Sequence, residues 1–130
     1  MVADIVSGIL KPEKNPDFVG SRKGIVRPSE MSLEERNELI KKEPAYGNII
    51  CRCEMITEGE ILDAIRRPLG AKSLDGVKRR TRAGMGRCQS VFCSPRTMEI
   101  LSRELHIDMS QVTKSGGESR LIVGTNKDRI

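Results

Sequence analysis

The sequence predicts a small, mainly α-helical domain. It is helix-turn-helix-like, with short helices around a four-cysteine site, minor β structure and an extended N-terminal connector. Three observations carry this. The four cysteines fall into two tight pairs, Cys51-Arg52-Cys53 and Cys88-x4-Cys93. Helix-start signals recur between Ser32 and Pro95. The chain has 130 residues but one Tyr, two Phe and no Trp, so its core must be thin and aliphatic. A domain with such a core often needs a metal, a disulfide or a partner to fold.

Met1–Leu10 carries Asp4, lacks a basic start and has too short an apolar run for a signal peptide. No stretch approaches a membrane span, so a cytoplasmic protein with reduced thiols is expected. Within it, Ala3–Leu10 reads as a short helix end with apolar Ile5, Val6, Ile9 and Leu10, the tail of something larger. Residues 11–31 hold Pro12, Pro16 and Pro28 with Gly20 and Gly24, an extended connector without periodicity. Residues 32–123 form the expected folded module, and 124–130 a polar tail.

The module's elements follow from local signals. Ser32 with Glu35 is a capping box for a helix over Leu33–Lys42, which Pro44 ends. Thr57 with Glu60 opens a second over Glu58–Arg66, with Ile61, Leu62 and Ile65 facing inward and Pro68 and Gly70 beyond its end. Ser73 caps a third over Leu74–Arg82, with Leu74, Val77 and Thr81 on one face and Gly84-Met85-Gly86 after it. Ser94 as cap, with Pro95 at the first helical position, opens a fourth over Pro95–Leu105. Its Met98, Leu101 and Leu105 form a core stripe, while Glu99 and Arg103 are spaced to pair on the wet face. Arg120–Val123 reads as a short edge strand beside Asn48–Ile50.

The cysteine pattern points to metal. In extended chain, residues i and i+2 lie about 6.6 Å apart, at the limit for a disulfide, yet their side chains share a face. Cross-pairing between the two clusters remains geometrically possible. Four thiolates without a nearby histidine suit zinc or iron–sulfur. Structural zinc sites favour C-x2-C to C-x4-C knuckles with a turn between ligands, and C-x-C leaves no room for that turn. The spacing therefore ranks iron–sulfur above zinc. The net charge of +5 suits an anionic cluster but is also an ordinary solubility margin. Cys53 precedes the Thr57-capped helix and Cys93 the Ser94-capped one, so two helix N-termini could face a bound anion. Gly84 and Gly86 would let the backbone pass close to the sulfurs.

The segments Tyr46–Glu54 (with C-R-C-E), Glu58–Gly70, Leu74–Gln89 (with G-R-C-Q) and Phe92-Cys-Ser-Pro95 resemble the bacterioferritin-associated-ferredoxin-like [2Fe-2S] domain. More narrowly, they resemble its version at the C-terminus of FAD-dependent glycerol-3-phosphate dehydrogenases and related oxidoreductases. The resemblance covers about Gly24 to Val123. It implies that Cys51, Cys53, Cys88 and Cys93 ligate a [2Fe-2S] cluster. It also implies that residues 1–10 end an upstream flavoprotein domain whose FAD is not bound by this chain. The free-standing ferredoxin of the family ends in C-x2-C. The C-x4-C found here favours fusion to a flavin dehydrogenase over partnership with bacterioferritin. The implied function is electron relay from flavin to an acceptor.

Other features weigh against chemistry within this chain. No G-x-G-x-x-G is present, since Gly84-x-Gly86 is followed by Gln89 and comes after a helix. His106, the one histidine, follows a helix end and reads as solvated. No paired carboxylates stand near a nucleophile. The basic run Lys78-Arg79-Arg80-Thr81-Arg82 has three readings. It can be a solvated helix face with Asp75 pairing Arg79, or a source of cluster-offsetting charge from Arg82, with Arg52 and Arg87. The third reading is a nucleic-acid contact of an iron-dependent sensor, and it ranks last.

Overall fold

The computed structural model of the protein describes residues 1–124; the expected tail beyond Gly124 lies outside them. Five helices are present among the described residues: α1 (Val2–Leu10), α2 (Leu33–Lys42), α3 (Glu58–Arg66), α4 (Leu74–Thr81) and α5 (Ser94–Leu105). A two-stranded antiparallel sheet, β1 (Ile49–Cys51) and β2 (Ile56–Thr57), is the sheet they surround. The mainly α class with minor β holds.

The two capping boxes form as the sequence dictates. The Glu35 amide donates to Ser32 Oγ and the Ser32 amide to Glu35 Oε2 at 2.9 Å. Around Thr57 the box is buried, and Glu60 Oε2 accepts from both the amide and the hydroxyl of Thr57 at 2.8 Å. Each box satisfies donors a helix start leaves open.

α3 is the centre of the molecule. It packs on α4 and α5 through Ile61, Leu62 and Ile65, which meet Val77 of α4 and Met98, Ile100 and Leu101 of α5. Val112, from the segment after α5, completes this core. On its other side α3 rests on the 3-10 turn Pro44–Gly47, whose Tyr46 is buried. A Cβ on Gly59 would lie 2.5 Å from the Tyr46 ring, so glycine there is a packing requirement. The α3–α4 connection is equally tight, since a Cβ on Gly70 would meet the Ile65 carbonyl oxygen at 1.8 Å.

Several expectations change. α4 stops at Thr81, because Arg82 takes a left-handed conformation (φ 71). Ser94 is not the cap of α5. Cys93 occupies the N-cap position, and the Ser94 hydroxyl donates to Ser90 O at 2.7 Å. Glu99 pairs with Arg96 one turn back, while Arg103 reaches Glu58 (2.7 Å) on α3 and Glu104. The 120–123 strand does not join Asn48–Ile50. β1 takes β2 as its partner, and Arg120 bridges Thr113. The carbonyls of Thr113 and Lys114 instead accept from the Leu74 and Asp75 amides, capping α4 from outside.

α1 buries no residue. The connector ends in a 3-10 turn at Pro28–Glu30, where buried Pro28 accepts from Arg36 Nε through its carbonyl, and Lys23 O accepts from Arg67.

Candidate metal centre

The four cysteines come from two loops that the core holds against each other. Cys51 ends β1, and Cys53 follows in the β1–β2 turn, where Met55 (φ 55) reverses the chain. Cys88 lies in the α4–α5 loop and Cys93 begins α5. The loop is shaped by hydrogen bonds from the Met85 amide to Arg82 O, the Gln89 amide to Gly86 O and the Val91 amide to Cys88 O. Gln89 and Ser90 are consecutive left-handed residues (φ 48 and 76), a costly conformation for side chains with a Cβ. The Ser90 hydroxyl, donating to Gly84 O at 3.1 Å, ties it down.

Gly86 brings the two loops together. A Cβ there would sit 2.2 Å from the Cys53 Cβ and 3.4 Å from its sulfur. Gly84 has a different job: its φ of 87 needs glycine, and its neighbour is Ser90, not a cysteine. One of the two glycines therefore approaches the sulfurs as the sequence implied.

All four cysteines line a single depression of about 550 Å³, with Asn48, Ile49, Ile50, Arg52, Phe92 and Arg96. Within it they form two pairs. Cys51 and Cys93 are in contact and buried, 1% and 3% exposed. Burial, followed by the neighbouring Cys51 sulfur, pushes the Cys93 thiol up to about 11. Cys53 and Cys88 form the outer pair, the first exposed and the second half-buried. A hydrogen bond from the Cys53 thiol, then one from the Phe92 amide, holds the Cys88 thiol below its ordinary value. Among the described residues, no three Cys, His, Asp or Glu side chains are grouped as around a single ion.

The cations sort differently from the sequence reading. Arg82, with its Nε 2.8 Å from Glu54 Oε2, is committed to the carboxylate that follows Cys53. Arg52 lines the depression, and Arg87 is exposed beside Cys88. Among the described residues neither makes an ion pair. Arg79 pairs with Asp75 as expected, at 3.8 Å. His106 caps α5 in a left-handed conformation and is exposed.

Of the two helix N-termini expected at the site, only that of α5 begins on a cysteine. The first amides of α3 are taken by Asn48 O and Thr57 Oγ1. Beneath it, Glu58 accepts from Asn48 and Arg103. Burial pushes the Glu58 carboxyl up, but these hydrogen bonds outweigh it and hold it below the usual range. Arg96 and this network escaped the sequence reading. Arg96 carried a usable signal, three residues after Cys93 on the first turn of α5.

The donor set fits the cluster the sequence implied. Four thiols arranged two by two can each give a pair to one iron of a binuclear unit. The sequence model of the BFD-like [2Fe-2S] binding domain matches residues 49–103, which include all four cysteines. The chain is 50% identical to a protein named glycerol 3-phosphate dehydrogenase from Caloramator mitchellensis, over 99% of this chain and 27% of that protein. It is 41% identical to one of the subunits of the anaerobic glycerol-3-phosphate dehydrogenase of Escherichia coli (strain K12), over 45% of this chain and 10% of that protein. A 45-residue stretch is 49% identical to the HcnB polypeptide of hydrogen cyanide synthase from Pseudomonas aeruginosa, covering 35% of this chain and 9% of that protein. The chain thus spans about a quarter or less of these relatives' lengths. No solved structure matches it. These comparisons show a BFD-like [2Fe-2S] binding domain over residues 49–103 of this chain.

Proposed function

We propose that Cys51, Cys53, Cys88 and Cys93 hold a [2Fe-2S] cluster, and that the module serves a flavin-dependent dehydrogenase of the glycerol-3-phosphate type as its electron relay. The observation that carries this is the two-by-two arrangement of the four thiols in one depression. The buried pair would anchor one iron in the core, and the outer pair would hold the second near solvent. When bound, such a cluster would take up and give back one electron at a time, so that the two reducing equivalents of a reduced flavin could leave singly. The chain's own residues orient the thiols, keep water from the inner pair and supply cations nearby, with Arg52, Arg87 and the Glu54-paired Arg82 as candidates for charge tuning.

The parent activity rests on the names of the relatives. α1, with Val2, Ile5, Val6, Ile9 and Leu10 all exposed, supports a reading in which residues 1–10 end an upstream FAD domain and residues 11–31 tether the module to it. No helix of the described residues is long and apolar enough to cross a membrane.

Anaerobic reconstitution with ferrous iron and sulfide should give about two irons and two sulfides per chain. One tightly held zinc without sulfide, in protein made with iron in excess, overturns the cluster. For the relay, the full-length parent protein is mixed rapidly with substrate. The cluster's visible bands should bleach as the flavin is reduced, and Cys88→Ala should slow delivery to the acceptor while sparing flavin reduction. A cluster that stays oxidised at full turnover overturns the relay.

A further inference from the structure

We infer that the surface over the Cys53–Cys88 pair is a docking face for a separate electron-carrier protein whose own redox centre is ringed by carboxylates. This rests on the reading above, in which a cluster fills the site.

Three observations place the face there. First, the site is open on one side. Cys51 and Cys93 are shut in the core, whereas Cys53 is exposed and Cys88 half-buried. Electron exchange with another protein needs close approach, and the outer pair is where such an approach is open.

Second, the loop between Cys88 and Cys93 presents two large apolar side chains to water, Val91 at 70% and Phe92 at 83% exposed. Neither side chain belongs to the hydrophobic core. The residues are consecutive and sit on a loop with left-handed backbone at the two positions before Val91. Phe92 lines the same depression as the cysteines. An exposed aromatic at the mouth of a site, with an aliphatic neighbour, has the composition of an interface core.

Third, the charge left without an ion pair around this apolar centre is positive among the described residues, since Glu54 and Glu99 are each paired with an arginine. Arg52 and Arg87 flank the outer cysteines and are exposed without an ion pair among the described residues. Arg96, on the first turn of α5, adds a third guanidinium, partly offset by Glu99. Elsewhere the arginines are largely committed. Arg66, Arg67, Arg79, Arg82 and Arg103 each face a carboxylate. An apolar centre with a cationic rim is complementary to an apolar centre with an anionic rim, and such pairing governs encounter rate and partner choice. It disfavours a basic carrier by the same charges.

The test uses the cluster-loaded chain with two defined probes, an acidic flavodoxin and basic cytochrome c. Oxidised flavodoxin added at low salt should shift the hydrogen-exchange rates of the peptides that hold Arg52, Arg87, Val91 and Phe92, read by mass spectrometry. The shifts should fade as salt approaches about 0.15 M, where exposed charges are screened beyond roughly 8 Å. In stopped flow, the reduced chain should reduce flavodoxin about tenfold or more slower at that salt than at low salt. Arg52→Glu and Arg87→Glu should each cost at least about threefold with flavodoxin and gain with cytochrome c. Phe92→Ala should slow flavodoxin without changing the salt slope. Each variant must first keep the parent visible spectrum. Loss of that spectrum in the parent chain itself would count against the cluster instead of the docking face. With the spectrum intact, the docking face is overturned if the rates do not respond to charge reversal or if flavodoxin shifts another surface. It is also overturned if anionic phospholipid vesicles perturb these amides while flavodoxin does not.

Discussion

The two cysteine pairs occupy different physical settings although each C-x-C and C-x4-C motif contributes one member to each. Cys51 and Cys93 are core residues, in the same apolar cluster as Ile61, Val77 and Leu101. Cys53 and Cys88 are loop residues, held by turn hydrogen bonds and by the contact with Gly86. The inner pair is therefore positioned by the fold, while the outer pair would be positioned largely by whatever the thiols bind. Motif spacing alone does not separate these roles.

The comparison breaks most sharply by substitution. Cys51→Ser or Cys93→Ser should abolish cluster retention and also destabilise the metal-free chain, by about 1–3 kcal/mol, because a hydroxyl replaces a sulfur in an apolar site. Cys53→Ser or Cys88→Ser should abolish retention with little change in metal-free stability. Iron and sulfide analysis with urea unfolding of the metal-free forms checks both. Equal destabilisation by all four would erase the distinction.

A subtler break is Gly86→Ala. The added Cβ overlaps Cys53, so it should drive the outer pair apart and shorten the life of the bound cluster, leaving helix content unchanged. Gly84→Ala strains the backbone at positive φ instead and should act through the loop. Decay of the visible absorbance, set beside far-ultraviolet circular dichroism, separates the two.

Acid probes the ground under the inner pair. Glu58 is held below the usual carboxylate range in the folded chain. The stabilisation it contributes is therefore present above the unfolded value, about 4.3, and is lost as pH falls through the lower, folded value. Urea midpoints of metal-free protein should fall on acidification through that window. Arg103→Gln should flatten the fall, and an unchanged slope would show that the network adds nothing.

The smallest expected effect is on potential. Reduction adds a negative charge, so neighbouring cations favour the reduced form. Arg87→Gln should lower the midpoint, by an amount reduced by solvent screening. An unchanged or higher midpoint, measured by spectroelectrochemistry, would place Arg87 away from the cluster.

Local signals were the legible ones. Ser32 with Glu35 and Thr57 with Glu60 marked two helix starts, because a capping box is complete within four residues. The pairing of Glu99 was not legible. Arg96 and Arg103 are both within reach on one helix, and Glu58, distant in sequence, claims Arg103. The 120–123 segment read as a strand from its own residues, but its neighbour is set by the turn that folds it onto Thr113. At the site, the four ligand candidates and the role of Gly86 could be read from spacing. Which thiol sits beside which could not, because that depends on how α3 and α5 pack.

The contact between Tyr46 and Gly59 has a practical consequence. With one tyrosine and no tryptophan, intrinsic ultraviolet emission arises from a single known position. That ring lies on the α3 face where the Pro44–Gly47 turn docks. In the metal-free chain its emission follows that docking step. A bound cluster, absorbing in the near ultraviolet where tyrosine emits, would quench the same ring, so one fluorophore can report first that the scaffold has closed and then that its cargo is in place.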